Sequence, residues 1–378
     1  MTNSTLNIQL QNQTSSNTVY AYITGIDASN GSFVLIPADG HSTYYPQSPS
    51  TVGSPLAVDC GIRLGTPGSS TPATIPRMAG GRIWFCINDT LTFLLNPGPG
   101  LVEPSVSNQS DPNYSKTWGF CEFTFNDLQL FANITYVDFV SLPIQLSLTN
   151  TSNAVQTVLG IPSGGLETVC SGLNAQNAVD NAGWNQLIVN SSNGQPLRAL
   201  SPNTGHVMNN NLFAGYYDSY VNQVWSQYTS TNLNIDTQAQ WGVVSGTVQN
   251  GLLTFPGVGT FAKPSAADIF SCSTGPFSAA AWPPANVAQM GNLTARIAAA
   301  LNRSTLATNA NQPDGESVGV YYQQPVTNHY SRIVHAASAW GKGYAFPYDD
   351  VGPSGVDGVA GTVSDGDPSV FTVTVGDP

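Results

Sequence analysis

Two carboxylates stand apart in this chain by type, spacing and setting. Glu122 lies in Cys121-Glu122-Phe123-Thr124-Phe125-Asn126, and Asp138 follows in Asn133-Ile134-Thr135-Tyr136-Val137-Asp138-Phe139-Val140. Alternation along the first run sends Cys121, Phe123 and Phe125 to one face of a strand and Glu122, Thr124 and Asn126 to the other. A carboxylate, a hydroxyl and an amide in one row suit either a solvated face or a binding track. Asp138 sits between Val137 and Phe139, where a charge is costly unless it meets water or a partner. One acid on each of two neighbouring strand-like segments is what cleavage of a glycosidic bond requires. One carboxyl protonates the leaving oxygen, and the other activates water or attacks the anomeric carbon. Thr135 and Asp138 are an odd number of residues apart, so a regular strand cannot present both on one face. If both line a site, a bulge or turn must separate them.

The elements that position these residues read as β over the first 160 positions. Leu6-Asn7-Ile8-Gln9-Leu10 and Val19 to Ile23 alternate, while Phe33 to Ile36 and Ile83 to Ile87 form short apolar runs bounded by turns. After about Ile161 helical spacing sets in, first through Leu166, Val169, Cys170 and Leu173, then over 211–228 and 285–306. Strand-like sequence returns at 241–248, at 252–255 and near the C-terminus at 370–375. The expected fold class is mainly β with an α/β insertion. A β lobe of residues 1–160 and 336–378 would flank a mixed α/β lobe of residues 161–335.

Composition narrows the function. The net charge is −12, from 10 Lys plus Arg against 22 Asp plus Glu. Such a surface is unsuited to nucleic acid, whose affinity rests on neutralising phosphates. No apolar run is long enough to span a membrane, so no membrane partner is expected. The acidic, Thr/Ser/Asn-rich composition and many Asn-X-Ser/Thr triplets suit a secreted, extracellular protein, read here as a mature form with an added Met1. The triplets include those starting at Asn3, Asn12, Asn113, Asn133 and Asn302. Five cysteines allow at most two bridges and show no zinc spacing, and a buried, unreactive thiol is the ordinary fate of the one left over. His329 and His335 lack metal-ligand spacing, and Asp349-Asp350 lacks the alternating ligands of a calcium loop, so no metal is expected. The Tyr216-Tyr217 pair, Trp225, Trp282 and Tyr321-Tyr322 read as core packing.

Glu-Phe-Thr-x-Asn, followed by Asn-Ile-Thr-Tyr-Val-Asp-Phe-Val and Leu-Pro, resembles glycoside hydrolase family 64. Val19 to Gly25, Gly81 to Phe85 and Phe346 to Val351 resemble other segments of that family. The resemblance implies a thaumatin-like β-sandwich or barrel lobe beside an open groove. It also implies an inverting β-1,3-glucanase that releases laminari-oligosaccharides, mainly the pentaose, with no cofactor and as a monomer. Glu122 falls on the family's general acid and Asp138 on its general base, while Thr124, Asn126, Phe131 and Thr135 fall on residues lining the glucan groove. Phe131 departs from the family pattern, which has tryptophan there, and offers less stacking area. Inversion would place the two carboxyls ~6.5–9.5 Å apart. A non-catalytic glucan-binding protein would keep the groove without needing both acids. A peptidase with paired carboxylates would need an Asp-Thr/Ser-Gly pair, which this chain lacks.

Overall fold

Alternating apolar residues from both ends of the chain build one β-sandwich in the computed structural model, which describes residues 1–377. Its strands are β1 (Thr5–Gln13), β2 (Val19–Asp27), β3 (Phe33–Leu35), β4 (Ser70–Pro76), β5 (Met78–Ile87), β6 (Thr117–Phe125), β7 (Leu130–Asn133), β8 (Ile144–Asn150), β9 (Val155–Val158), β10 (Thr362–Asp365) and β11 (Pro368–Gly376). One sheet runs β9-β8-β11-β1-β4, and the larger runs β10-β7-β6-β5-β2-β3, with Ile62–Arg63 added beside β2. The parallel β1–β11 pair ties the two chain ends together. Leu6, Ile8 and Leu10 of β1 are buried between the sheets with Phe371, Val373 and Val375 of β11. Phe123 of the larger sheet meets Phe371 of the smaller at 6.4 Å between ring centroids. Its cross-strand neighbour is Gly81, where a Cβ would fall 2.4 Å from the Phe123 ring. Only a residue without a side chain leaves that ring its place.

The later part of the chain supplies the helices: α1 (Gly165–Asp180), α2 (Pro202–Met208), α3 (Asp218–Gln227), α4 (Ala266–Ser271), α5 (Val287–Arg303) and α6 (His329–Ala337). A small sheet ordered Gly259–Phe261, Leu252–Phe255, Val243–Gln249, Leu233–Asp236 and Asn311–Gln312 accompanies them. The helix expected over 211–228 is shorter than its apolar stripe. Phe213 and Gly215 take left-handed backbone angles, φ 62° and 73°, so tight turns rather than a helix bury Phe213 and Tyr217. The helix expected over 285–306 is α5, trimmed at both ends, and α1 follows Pro162-Ser163-Gly164 as anticipated. The architecture is mainly β with α/β elements between the sandwich strands.

The two parts meet on the outer face of the larger sheet. Phe139–Val140 leaves the sandwich and pairs with Pro196–Leu200. Phe139 packs edge-on against Trp118 of β6 at 4.9 Å, and the buried Arg198 guanidinium lies 5.5 Å from the Trp118 ring. Trp84, Trp118 and Phe120 are therefore covered, while Arg82, Glu122, Thr124 and Phe131 on the same face stay partly open.

Asp349 is 1% exposed and joins the helices to the C-terminal segment. Its carboxylate lies 3.0 Å from Arg303 Nη2 of α5 and 3.0 Å from His335 Nε2 of α6. Burial alone would raise its pKa, but the His335 and Arg303 charges outweigh that and hold it below the ordinary aspartate value. All five cysteines are buried and unbridged. Asn12, Asn113, Asn133 and Asn302 are buried too, so their triplets are closed to modification in the folded chain. Among the described residues no helix is long and apolar enough to cross a membrane.

Candidate active site

Strand register brings one polar row together. Thr24 of β2, Arg82 of β5, Glu122 of β6, Asn133 of β7 and Thr362 of β10 are successive cross-strand partners. Direct partners share a face of the sheet, so the row runs across the outer face beside Glu122. Just past it, β5 slips register by one residue against both neighbours, around Ala79-Gly80, with Gly80 at φ 55°. Such bulges bend a strand and re-aim the side chains next to them.

Arg82 organises the charges. Its Nη1 donates to Glu103 Oε2 at 2.5 Å, while Nε and Nη2 both donate to Glu122 Oε1 at 3.3 Å. The guanidinium also lies over Phe120, 4.9 Å from the ring centroid, which fixes its plane. Glu103 is held in turn by the Thr24 hydroxyl at 3.2 Å, and Trp84 Nε1 donates to that hydroxyl at 3.0 Å. Arg82 thus serves two carboxylates, and Glu103 has the shorter contact. Both Glu122 contacts fall on one oxygen, which leaves Oε2 for another partner.

Asp138 reaches the site from a break in the chain. Regular pairing of β7 ends at Asn133, Thr135 makes a single bridge to Tyr344, and Val137-Asp138 forms a bend before Phe139 joins the second sheet. Thr135 and Asp138 are separated by that bend, as their odd spacing requires. The Asp138 carbonyl accepts from Ser201 N at 2.9 Å, and Ser201 caps α2. Tyr330 of α6 donates to the Tyr136 carbonyl at 2.6 Å, which anchors the other side of the bend. Burial pushes the Asp138 carboxyl above the ordinary aspartate value; Arg82 opposes the shift and the Glu122 charge adds to it. The two acids are therefore within electrostatic reach of one another and of Arg82.

The remaining candidates divide. Thr124, Phe131 and Ser364 are cross-strand partners, which sets Thr124 and Phe131 beside Glu122 on the same face. Asn126 spends its amide oxygen on Leu128 N and Gln129 N, both at 2.9 Å, to close the β6–β7 turn, and keeps its amide nitrogen free for other use. Thr135 is buried, with its hydroxyl accepting from Val137 N at 3.4 Å. His329 and His335 are ordinary buried histidines bonded to the Pro325 and Gly341 carbonyls. Tyr217, Trp225 and Tyr321 belong to the core. The cysteines offer no nucleophile, since burial raises the Cys60 and Cys86 thiols to about 12. Among the described residues no three His, Cys, Asp or Glu side chains gather as metal ligands.

Sequence reasoning missed Arg82 and Glu103. Arg82 immediately precedes the apolar run Ile83 to Ile87, so the cost of a charge beside apolar residues, which singled out Asp138, points to it as well. Glu103 carries no such signal, because only folding brings it to Arg82.

The arrangement offers one carboxylate paired with a shared guanidinium on an open polar face beside a phenyl ring, and a second, half-buried, at the adjoining bend. Comparison with known proteins agrees with this chemistry. The model of glycoside hydrolase family 64, described as β-1,3-glucanase, matches residues 4–375. Glucan endo-1,3-beta-glucosidases of Arthrobacter sp. (strain YCWD3) and Cellulosimicrobium cellulans are each 31% identical over 290 residues. The match takes in 75% of this chain and 50% of each relative, so the chain spans about half the length of the curated relatives it matches. A laminaripentaose-producing β-1,3-glucanase, solved in complex with laminaritetraose, superimposes at TM-score 0.87 with 33% identity over 99% of both chains. A β-1,3-glucanase domain from Clostridium beijerinckii shares the fold at TM-score 0.74 and 21% identity, over 99% of this chain and 98% of that one.

Proposed function

The chain belongs to glycoside hydrolase family 64, and from that premise we propose that it hydrolyses β-1,3-glucan with inversion, Glu122 acting as general acid and Asp138 as general base. The observation that carries this reading is the pairing of Glu122 on the sheet face with a desolvated Asp138 at the adjoining bend, both under the influence of Arg82. Glu122 Oε2 faces no competing salt bridge and would deliver its proton to the glycosidic oxygen. Asp138, made more basic by burial, would take the proton of a water attacking from the other side of the sugar. Glu103 shares the Arg82 guanidinium with Glu122 and holds the shorter of the two contacts. Thr124, Phe131 and the Asn126 amide nitrogen would line the glucan groove, with Thr135 supporting its wall. The product pattern proposed is laminari-oligosaccharides, mainly the pentaose, by likeness to the laminaripentaose-producing structure. The same reading takes the chain as an extracellular monomer of a thaumatin-like β lobe, 1–160 with 336–378, and an α/β lobe, 161–335.

Glu122→Gln and Asp138→Asn test the roles. Each should lower the release of reducing ends from a linear β-1,3-glucan by about a thousand-fold or more, while binding of the glucan persists. Turnover retained in either variant would reject the role given to that residue.

A further inference from the structure

Trp340 is the one tryptophan that the fold leaves largely uncovered, at 69% exposure. Its backbone is left-handed, φ 56° and ψ 18°, a conformation that a bulky residue rarely adopts. The turn is clamped around it. Ala339 N donates to the Gly160 carbonyl at 2.8 Å, Gly341 N to the Ser338 carbonyl at 3.0 Å, and His335 Nδ1 lies 3.1 Å from the Gly341 carbonyl. The chain therefore pins an apolar ring outward where a buried ring or a glycine would be cheaper, and strain of this kind concentrates at binding sites. The indole borders an open cavity of about 450 Å³, shared with Val318, Tyr322, His335, Lys342 and Asp357. Lys342 Nζ and Asp357 Oδ1 pair at 2.6 Å on its rim, with the Asp357 carboxylate well exposed. A flat apolar ring beside exposed hydrogen-bonding groups suits the apolar face and hydroxyl edge of a sugar. The segment is also continuous with the catalytic face. Four residues on, Tyr344 bridges to Thr135, two residues from Asn133, the cross-strand partner of Glu122.

We propose that Trp340 and the Lys342–Asp357 rim form an outlying subsite for a β-1,3-glucan chain, holding the polymer away from the bond being cut. The inference rests on the glucanase reading, since it takes its ligand from there. The test is partition of the intact protein onto an insoluble linear β-1,3-glucan, comparing wild type with Trp340→Asn and Trp340→Tyr. Asparagine accepts the left-handed backbone, and thermal melting confirms that each variant is folded. Trp340→Asn should weaken partition about tenfold, and Trp340→Tyr should restore most of it. Equal partition of wild type and Trp340→Asn would overturn the subsite while leaving the glucanase reading intact. A wild type that does not partition at all would overturn both. Sedimentation showing a dimer that Trp340→Asn dissociates would assign the ring to a self-interface and overturn the subsite.

Discussion

Replacing Glu103 by Gln removes a charge that touches neither of the two carboxylates proposed to react, and its effect follows from how Arg82 is shared. The guanidinium contacts Glu103 at 2.5 Å and Glu122 at 3.3 Å, with each of these side chains about a third exposed or less. Glutamine keeps the shape and can still accept from Arg82 and Thr24, but it no longer neutralises the guanidinium. The full positive charge then faces Glu122 and favours its carboxylate over the protonated acid that the proposed mechanism needs. Two bare charges ~4 Å apart at an effective dielectric near 20 interact by about 4 kcal/mol. Partly exposed pairs are measured at only about 0.2–1 kcal/mol, and this one is partly exposed. The alkaline limb of the pH–rate profile should therefore move down by roughly half a pH unit, at about 1.4 kcal/mol per unit. The acidic limb, where Asp138 would be ionised, should move the same way, because the Arg82 charge also opposes the burial shift of Asp138. The assay is the initial rate of reducing-end release from a linear β-1,3-glucan across the pH range, with thermal melting to confirm the fold. An alkaline limb that stays put, or moves up, in a folded Glu103→Gln protein would refute the charge-sharing argument.

Phe131→Ala removes the aromatic ring beside Thr124 and Glu122 and should weaken binding of laminari-oligosaccharides about fivefold, read by calorimetry; unchanged affinity would take the ring out of the groove. Asp349→Asn leaves Arg303 buried without its counter-charge and should cost about 3–5 kcal/mol of stability, read by denaturant unfolding. The folded pKa of Asp349 lies below its unfolded value. Its contribution is thus full above the ordinary aspartate value, ~3.9, and fades as pH falls through the lower folded one. The wild-type melting temperature should drop in that acidic window more steeply than that of Asp349→Asn.

What the sequence discloses and what it hides follow from the range of the interactions. The alternation through Cys121 to Asn126 is local, and the burial of Cys121, Phe123 and Phe125 matches it. The break between Thr135 and Asp138 was legible for the same reason, since parity is a property of the strand itself. The Arg82–Glu103 and Arg303–Asp349 pairs join residues 21 and 46 positions apart, and no local pattern signals them. The short helices α2, α4 and α6 also escaped, because one or two turns offer too few repeats for a helical stripe to emerge. In α6 the cue was a cap: the Asn328 side chain accepts from Ser331 N at 3.1 Å. Over 211–228 the stripe misled in the other direction, because Phe213 is buried by a tight turn and not by a helix face.

In the proposed mechanism Glu122 and Asp138 cleave β-1,3-glucan by a single displacement with water. Proton NMR of the first sugars released from a linear β-1,3-glucan tests it most directly. The new reducing ends should appear as the α-anomer and only later equilibrate. Initial β-anomer would mean retention through a glycosyl-enzyme intermediate, and would contradict the assignment of Asp138 as the base that activates water.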